Sequence, residues 1–305
     1  MVNYKAILPF FAGIVLIFIF IHFVGYDEFI TLIRSSNPLY LALALLFQIL
    51  NLFFEAYKWK PILESLKPNI SIKNVFVATM VGIFFNNVTP GARTGGEPMK
   101  TFLISREEEL SPIETVFATV TVDRIVESLP FFALAVFSVM YVNLFYTVKW
   151  GVIVLLSLII VAYIAVLLVA SYICFNKNAG EKVVFRLLTI VGKFSKRIKK
   201  YEDLALSMVE NFHTQFQLIL KSRNNLYRSI LASVIMWICW ILRTYFVFLA
   251  LGKPLNPVLV ALDTTISLLM GLIPFLPGGL GIVEVTMSVL YAALKVGKNV
   301  ALTAT

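Results

Sequence analysis

Asn86–Lys100 reads NNVTPGARTGGEPMK, with two prolines, three glycines, an arginine and a glutamate set between apolar runs. The apolar approach to it, Asn74–Val88, has 15 residues, or roughly 22 Å of helix at about 1.5 Å per residue. A hydrocarbon core of about 30 Å takes about 20 residues to cross, so this approach is too short. The charges of Arg106–Glu109 (REEE) follow soon after and are expected in water. The segment 74–104 is therefore predicted to enter the membrane, turn at Pro90-Gly91 and leave on the same side.

The rest of the chain says why a membrane is the setting. Of 305 residues, 59% are hydrophobic and 14% charged, and the mean hydropathy is +0.88. A soluble domain of this size could not hide that much apolar surface. Five runs are long enough to span: Ala6–Val24, Pro38–Tyr57, Leu129–Thr147, Gly151–Phe175 and Ser229–Leu251. Their apolar residues do not alternate, so they read as helices and not as barrel strands. The fold class is all-α polytopic, about five full spans plus two re-entrant broken-helix hairpins, in one transmembrane domain over 1–305. The first half is 6–147, a basic segment covers 176–228, and the second half is 229–305 with its hairpin at 258–295.

Net charge is +9, and 11 of the 26 Lys and Arg lie between Asn176 and Arg228 against four acids. Basic residues in one connecting loop mark the cytoplasmic side, so the charge indicates topology and not a nucleic-acid partner. Lys5 places the N-terminus on that side as well. Apolar residues recur at helical spacing in this loop, as in Val184, Leu187, Leu188 and Val191, and again in Leu204, Met208, Phe212 and Phe216. Two amphipathic helices are expected, with 182–200 facing an anionic leaflet; the alternative is a solvated cytoplasmic connector that only obeys topology. Cys174 and Cys239 lie in separate apolar runs and His22 and His213 are isolated, so no disulfide, metal or other cofactor is indicated.

A second break, Pro277-Gly278-Gly279-Leu280-Gly281 followed by Glu284, repeats the order of the first. Two such breaks entering from opposite sides are what an inverted repeat of discontinuous helices leaves in a sequence. Glycine admits a left-handed turn or a close ligand, Pro98 suits a first helical turn, and Glu97 suits a helix N-terminus; the alternative is that these are helix-packing glycines with kinks. Arg93, Gly95, Gly96, Glu97, Gly278, Gly279, Gly281 and Glu284 are the candidate substrate-binding residues of the breaks. Charges at membrane depth cost roughly 2.5–3.5 kcal/mol each on insertion scales, which adds Asp123, Arg124 and Arg243. Adjacent Asp123 and Arg124 point apart on a helix, whereas Asp123 and Glu127 share a face. The alternative for any one of these is a structural ion pair such as Glu97 with Arg124. Glu55 with Lys58 is expected to be an ordinary interfacial pair, and Asp263 to lie near the membrane surface.

NNVTPGARTGGEPMK, TVTVDRIVESL (119–129) and IPFLPGGLGIVE (273–284) resemble three marked stretches of the flippase-like integral membrane family, which is similar to the transmembrane region of lysylphosphatidylglycerol synthetases. The resemblance runs from Ala6 to the end and implies the stand-alone form, without a fused transferase. It implies a cell-membrane protein that moves a polar-headed lipid between leaflets through a groove between broken helices. Membrane lipids are then the partners, with a second copy or a lipid-modifying enzyme as further candidates. No HExxH, GxSxG or Walker A pattern occurs, so the expectation is not an enzyme. A membrane-embedded transferase or hydrolase on lipid-linked substrates, or a scaffold for such an enzyme, is the alternative.

Overall fold

The computed structural model describes residues 30–31, 34–89, 95–110, 112–145, 150–192, 202–252 and 254–271. The span expected at Ala6–Val24, the tip of the first break at 90–94 and the whole second break lie outside them. The described residues form helices and no strand. In chain order they are α1 (Pro38–Tyr57), α2 (Lys60–Glu64), α3 (Ile72–Val88), α4 (Gly96–Glu107), α5 (Ile113–Phe145), α6 (Trp150–Phe175), α7 (Lys177–Gly192), α8 (Glu202–Lys221), α9 (Arg223–Ala250) and α10 (Pro257–Gly271). Four stretches are long and apolar enough to cross a membrane: Pro38–Glu64, Ile113–Phe145, Ser157–Phe175 and Arg223–Ala250. Each overlaps one of the expected spans.

Helix α1 shows how sequence becomes architecture. Asn37 caps it by accepting from the Leu39 N–H at 2.9 Å, and Pro38 sits at its first position, where a missing N–H costs nothing. Leu41, Leu45, Ile49 and Phe53 recur every four residues and face outward, exposed. The opposite face carries Ala44 and Asn51, both buried. An apolar exterior over a partly polar interior reverses the pattern of a soluble helix and suits a lipid surround.

Helix α9 lies antiparallel along α1. The Asn37 N–H donates to the Ala250 carbonyl at 2.9 Å, the Asn51 amide to the Met236 carbonyl at 3.0 Å, and Ser229 Oγ to the Lys58 carbonyl at 2.6 Å. Steps of fourteen and then seven residues along α1 match equal steps back along α9. Helix α5 packs on α9, α10, α4 and α8, which makes it the central element. Its 33 residues run straight through Pro130. The charged stretch before that proline is thus part of one long helix and not a lead-in to a span beginning at Leu129. The reason is that partners at the end of α1 and on α4 neutralise its charges, as described below.

Helices α3 and α4 fold back on one another around Gly96. A Cβ there would stand 2.1 Å from the Gly82 carbonyl oxygen and 2.7 Å from Asn86 Cγ, closer than any real contact. The Gly96 N–H donates to Asn86 Oδ1 at 2.8 Å. At the other end, Glu108 joins the two feet of this hairpin. Its Oε1 accepts from the Ser71 N–H at 3.1 Å and from Asn74 at 3.0 Å. Glu108 is buried, which corrects the expectation that all of Arg106–Glu109 stands in water; the orphan N–H groups at the start of α3 hold it in.

Helices α7 and α8 are amphipathic, as their periodicity predicts. The apolar face of α8 does not merely rest beside the bundle. Phe216 and Ile219 are fully buried in one cluster with Ala56, Trp59, Ile62, Val75, Ile104 and Val116.

Candidate functional site

Seven charged side chains meet where α1, α4 and α5 converge. Lys58 Nζ lies 2.8 Å from Asp123 Oδ1, 3.1 Å from Glu127 Oε2 and 3.6 Å from Glu55 Oε1. Lys100 Nζ lies 3.2 Å from both Asp123 Oδ2 and Glu97 Oε2. Arg124 pairs with Glu97 through one nitrogen and with Glu127 Oε2, at 2.6 Å, through the other. Lys58 and Asp123 are wholly withdrawn from solvent, each at 0% exposure.

The local sequence explains who meets whom. Asp123 and Glu127, one turn apart, both turn to Lys58, while Arg124 projects about 100° away toward Glu97. Trp59 steadies the cluster from behind, donating through Nε1 to Thr119 Oγ1 at 3.0 Å with Lys100 Nζ 4.7 Å from its ring centre. Every carboxylate is within ion-pair reach of a cation, so burial of these charges is compensated by attraction and not left as bare desolvation.

On the open side of the cluster is a cavity of about 760 Å³, the size range of small-ligand sites. Glu55, Glu97, Arg124 and Glu127 form its charged wall. Asn51, Asn86 and Asn87 add amides, and Tyr163, Trp237 and Trp240 add aromatic surface. Trp237 and Trp240 stack with ring centres 5.5 Å apart. At the far wall Arg243 Nη1 donates to Gln48 Oε1 at 2.8 Å, and its guanidinium carbon lies 5.3 Å from the Trp240 ring centre.

Of the residues singled out from the sequence, Glu97, Arg124 and Arg243 line this cavity, and Asp123 stands behind its wall. Gly95 and Gly96 face α3 and serve close helix packing. Gly95 has φ −71°, so close approach and not a left-handed turn is what demands glycine here. Arg93, Gly278, Gly279, Gly281 and Glu284 lie outside the described residues. One expectation is corrected. Lys58 is the buried centre of the network and not half of an interfacial pair with Glu55, because Asp123 and Glu127 draw it inward. Asp263 is buried within the protein, at 4% exposure, on a helix that packs against α5 and α9.

Lys100 and Gln48 were not picked out from the sequence. A local sign existed for the lysine: Glu55-x-x-Lys58 and Glu97-x-x-Lys100 repeat one spacing. In an apolar context an acid followed by a base one turn later gives each helix both a donor and an acceptor for a neighbour.

Residues 6–305 match the family described as the lysylphosphatidylglycerol synthase transmembrane region. The chain is similar to a UPF0104 membrane protein of Methanothermobacter thermautotrophicus, 30% identical over 295 residues covering 96% of this chain and 87% of the relative. A UPF0104 membrane protein of Pyrococcus horikoshii is 30% identical over 298 residues, covering 96% and 88%. The glycosyltransferase AglD of Haloferax volcanii is 29% identical over 126 residues, which is 40% of this chain and 19% of that protein. No solved structure matches. With the match spanning the three motifs, the apolar helices and the charged cavity alike, this chain is an integral membrane protein of the lysylphosphatidylglycerol synthase transmembrane-region family.

Proposed function

We propose that this protein translocates a polar-headed lipid between leaflets, by passing the head group through the cavity while the tails stay in the surrounding lipid. The observation that carries this reading is the cavity itself, a hollow of about 760 Å³ with one charged wall and apolar and aromatic surface elsewhere, bounded by helices whose outer faces are apolar and exposed. Leu45 on α1 and Leu168 on α6 are exposed at 62% and 66%. Such a hollow replaces the water that a head group would otherwise lose in the hydrocarbon, where polar groups are costly.

In this reading the α3–α4 hairpin is re-entrant. Its helices of 17 and 12 residues are too short to cross, and their feet are joined at Glu108. The second break supplies an opposing hairpin. The N-terminus and 176–228 face the cytoplasm, and the protein works in the cell membrane without a chemical step.

The test is reconstitution into liposomes carrying fluorescent lipids of anionic, zwitterionic and glycosylated heads, with leaflet exchange read by dithionite quenching. Faster exchange than in protein-free vesicles is expected for at least one head group; folded protein silent toward all of them overturns the proposal. The partial likeness to a glycosyltransferase favours a second reading, a membrane partner of a lipid-modifying enzyme. Co-purification of such an enzyme together with silence in the exchange assay selects it.

A further inference from the structure

The cavity has two ends of opposite sign. Among the described residues the cluster holds four carboxylates (Glu55, Glu97, Asp123, Glu127) against three cations (Lys58, Lys100, Arg124). Fully ionised, it carries one surplus negative charge. That surplus is least compensated at Glu55, whose cation contact, Lys58 at 3.6 Å, is shared with two nearer acids. Glu97 and Glu127 each bridge two cations, so Glu55 is the acid that faces the cavity with acceptor capacity in hand.

The other end is Arg243. Its hydrogen-bond acceptors are neutral, Gln48 Oε1 at 2.8 Å and Thr244 Oγ1 at 3.4 Å, and the Trp240 ring supports it. Asp263 acts on it electrostatically. A guanidinium has five N–H donors in a fixed fork, a shape that matches phosphate oxygens. Gln48, Asn51 and Glu55 lie on one face of α1, all lining the cavity. The seven residues from Gln48 to Glu55 are two turns, roughly 10 Å along the axis. The cation held at Gln48 and the acid at Glu55 are thus set apart along one wall by about the length of a small head group.

We infer that the cavity selects phospholipids with a zwitterionic head, seating the phosphate on Arg243 and the ammonium at Glu55. This deepens the translocation reading and rests on it. A net-neutral, two-ended head leaves neither end of the cavity uncompensated. An anionic head leaves Glu55 facing it without a cation, and an uncharged sugar head leaves both ends unmatched, each a desolvation cost.

The experiment uses proteoliposomes of the full chain with three fluorescent probes of identical tails: phosphocholine, phosphoglycerol and uncharged glucosyl-diacylglycerol lipids. The wild type is expected to exchange phosphocholine at least tenfold faster than the other two. Arg243→Gln is expected to lower phosphocholine exchange to the rate of the sugar lipid. Glu55→Gln is expected to erase the preference for phosphocholine over phosphoglycerol. The wild-type ranking needs no variant, so a variant that fails to fold leaves the inference testable. Equal wild-type rates for all three heads overturn the inference and leave translocation standing. A preference for phosphoglycerol or for the sugar lipid also overturns it. No exchange of any probe overturns both.

Discussion

Lys58→Met removes the cation at the centre of the cluster while keeping most of the side chain's length. Asp123, Glu127 and Glu55 then share only Lys100 and Arg124. Breaking a buried pair from one side costs roughly 3–5 kcal/mol, because the partner charge stays buried. Unfolding entropies near 2.1 cal/mol/K per residue, taken over the whole chain, put the corresponding fall in Tm at roughly 5–8 °C. The assay is thermal unfolding in detergent, followed by tryptophan fluorescence or by loss of the monodisperse peak. Asp123→Asn placed in the same chain removes the most deeply stranded acid and is expected to restore at least half of the loss, a coupling that a double-mutant cycle measures. A Lys58→Met protein within about 1 °C of wild type refutes the claim that these charges form one buried unit. So does a double variant whose loss is simply the sum of the two singles.

Gly96→Ala drives a methyl into the Gly82 carbonyl and Asn86, and overpacking of this kind costs roughly 1–3 kcal/mol. Gly82→Ala meets nothing closer than 3.4 Å and is expected to stay near wild type; paired Tm measurements compare the two. Arg124→Lys is expected to keep the protein folded and monodisperse while slowing lipid exchange, since a cation stays beside Glu97 and Glu127 but the guanidinium fork on the cavity wall is lost; unchanged exchange would assign Arg124 to packing alone. Burial beside α7, with Lys177 near, holds the His213 imidazole below its usual value. The unfolded chain then binds the proton first, so stability is full above about pH 6.5 and falls as the pH drops through that value. His213→Gln is expected to flatten this slope between pH 7.5 and 5.5, read by Tm. The carboxylate of Glu210, held low by a hydrogen bond from Lys177, titrates below that window and does not confuse it.

Length and hydropathy were enough to place α1 and α6 nearly to the residue, because a bilayer sets a length that lipid-facing helices must meet; α9 begins at Arg223, six residues before the expected Ser229, because its first two turns are polar. The turning back of α4 on α3 was legible in an apolar run that ends in glycine and proline. What could not be read was which charges share a pocket. Lys58 and Asp123 are 65 residues apart, and nothing local distinguishes a lysine drawn inward by distant acids from one reaching for lipid head groups at a helix end. Helix packing was the alternative reading of the glycines of the break, and it holds for Gly96, but its partners, Gly82 and Asn86 on the opposing helix, could not be named from the sequence. Asp263 shows the same limit, since a lone acid in an apolar run gives no sign of which neighbour surrounds it.

Because Glu108 gathers both feet of the α3–α4 hairpin at one end, the excursion returns the chain to the place it left. In counting sides, those residues add zero. Tyr57 and Ile113, though separated by α2, α3 and α4, therefore keep the parity of a single short loop. Reporter tags or cysteine labels introduced near Lys67 and near Glu109 are expected to react from one and the same face of the bilayer, and labels on opposite faces would break this pairing of the feet.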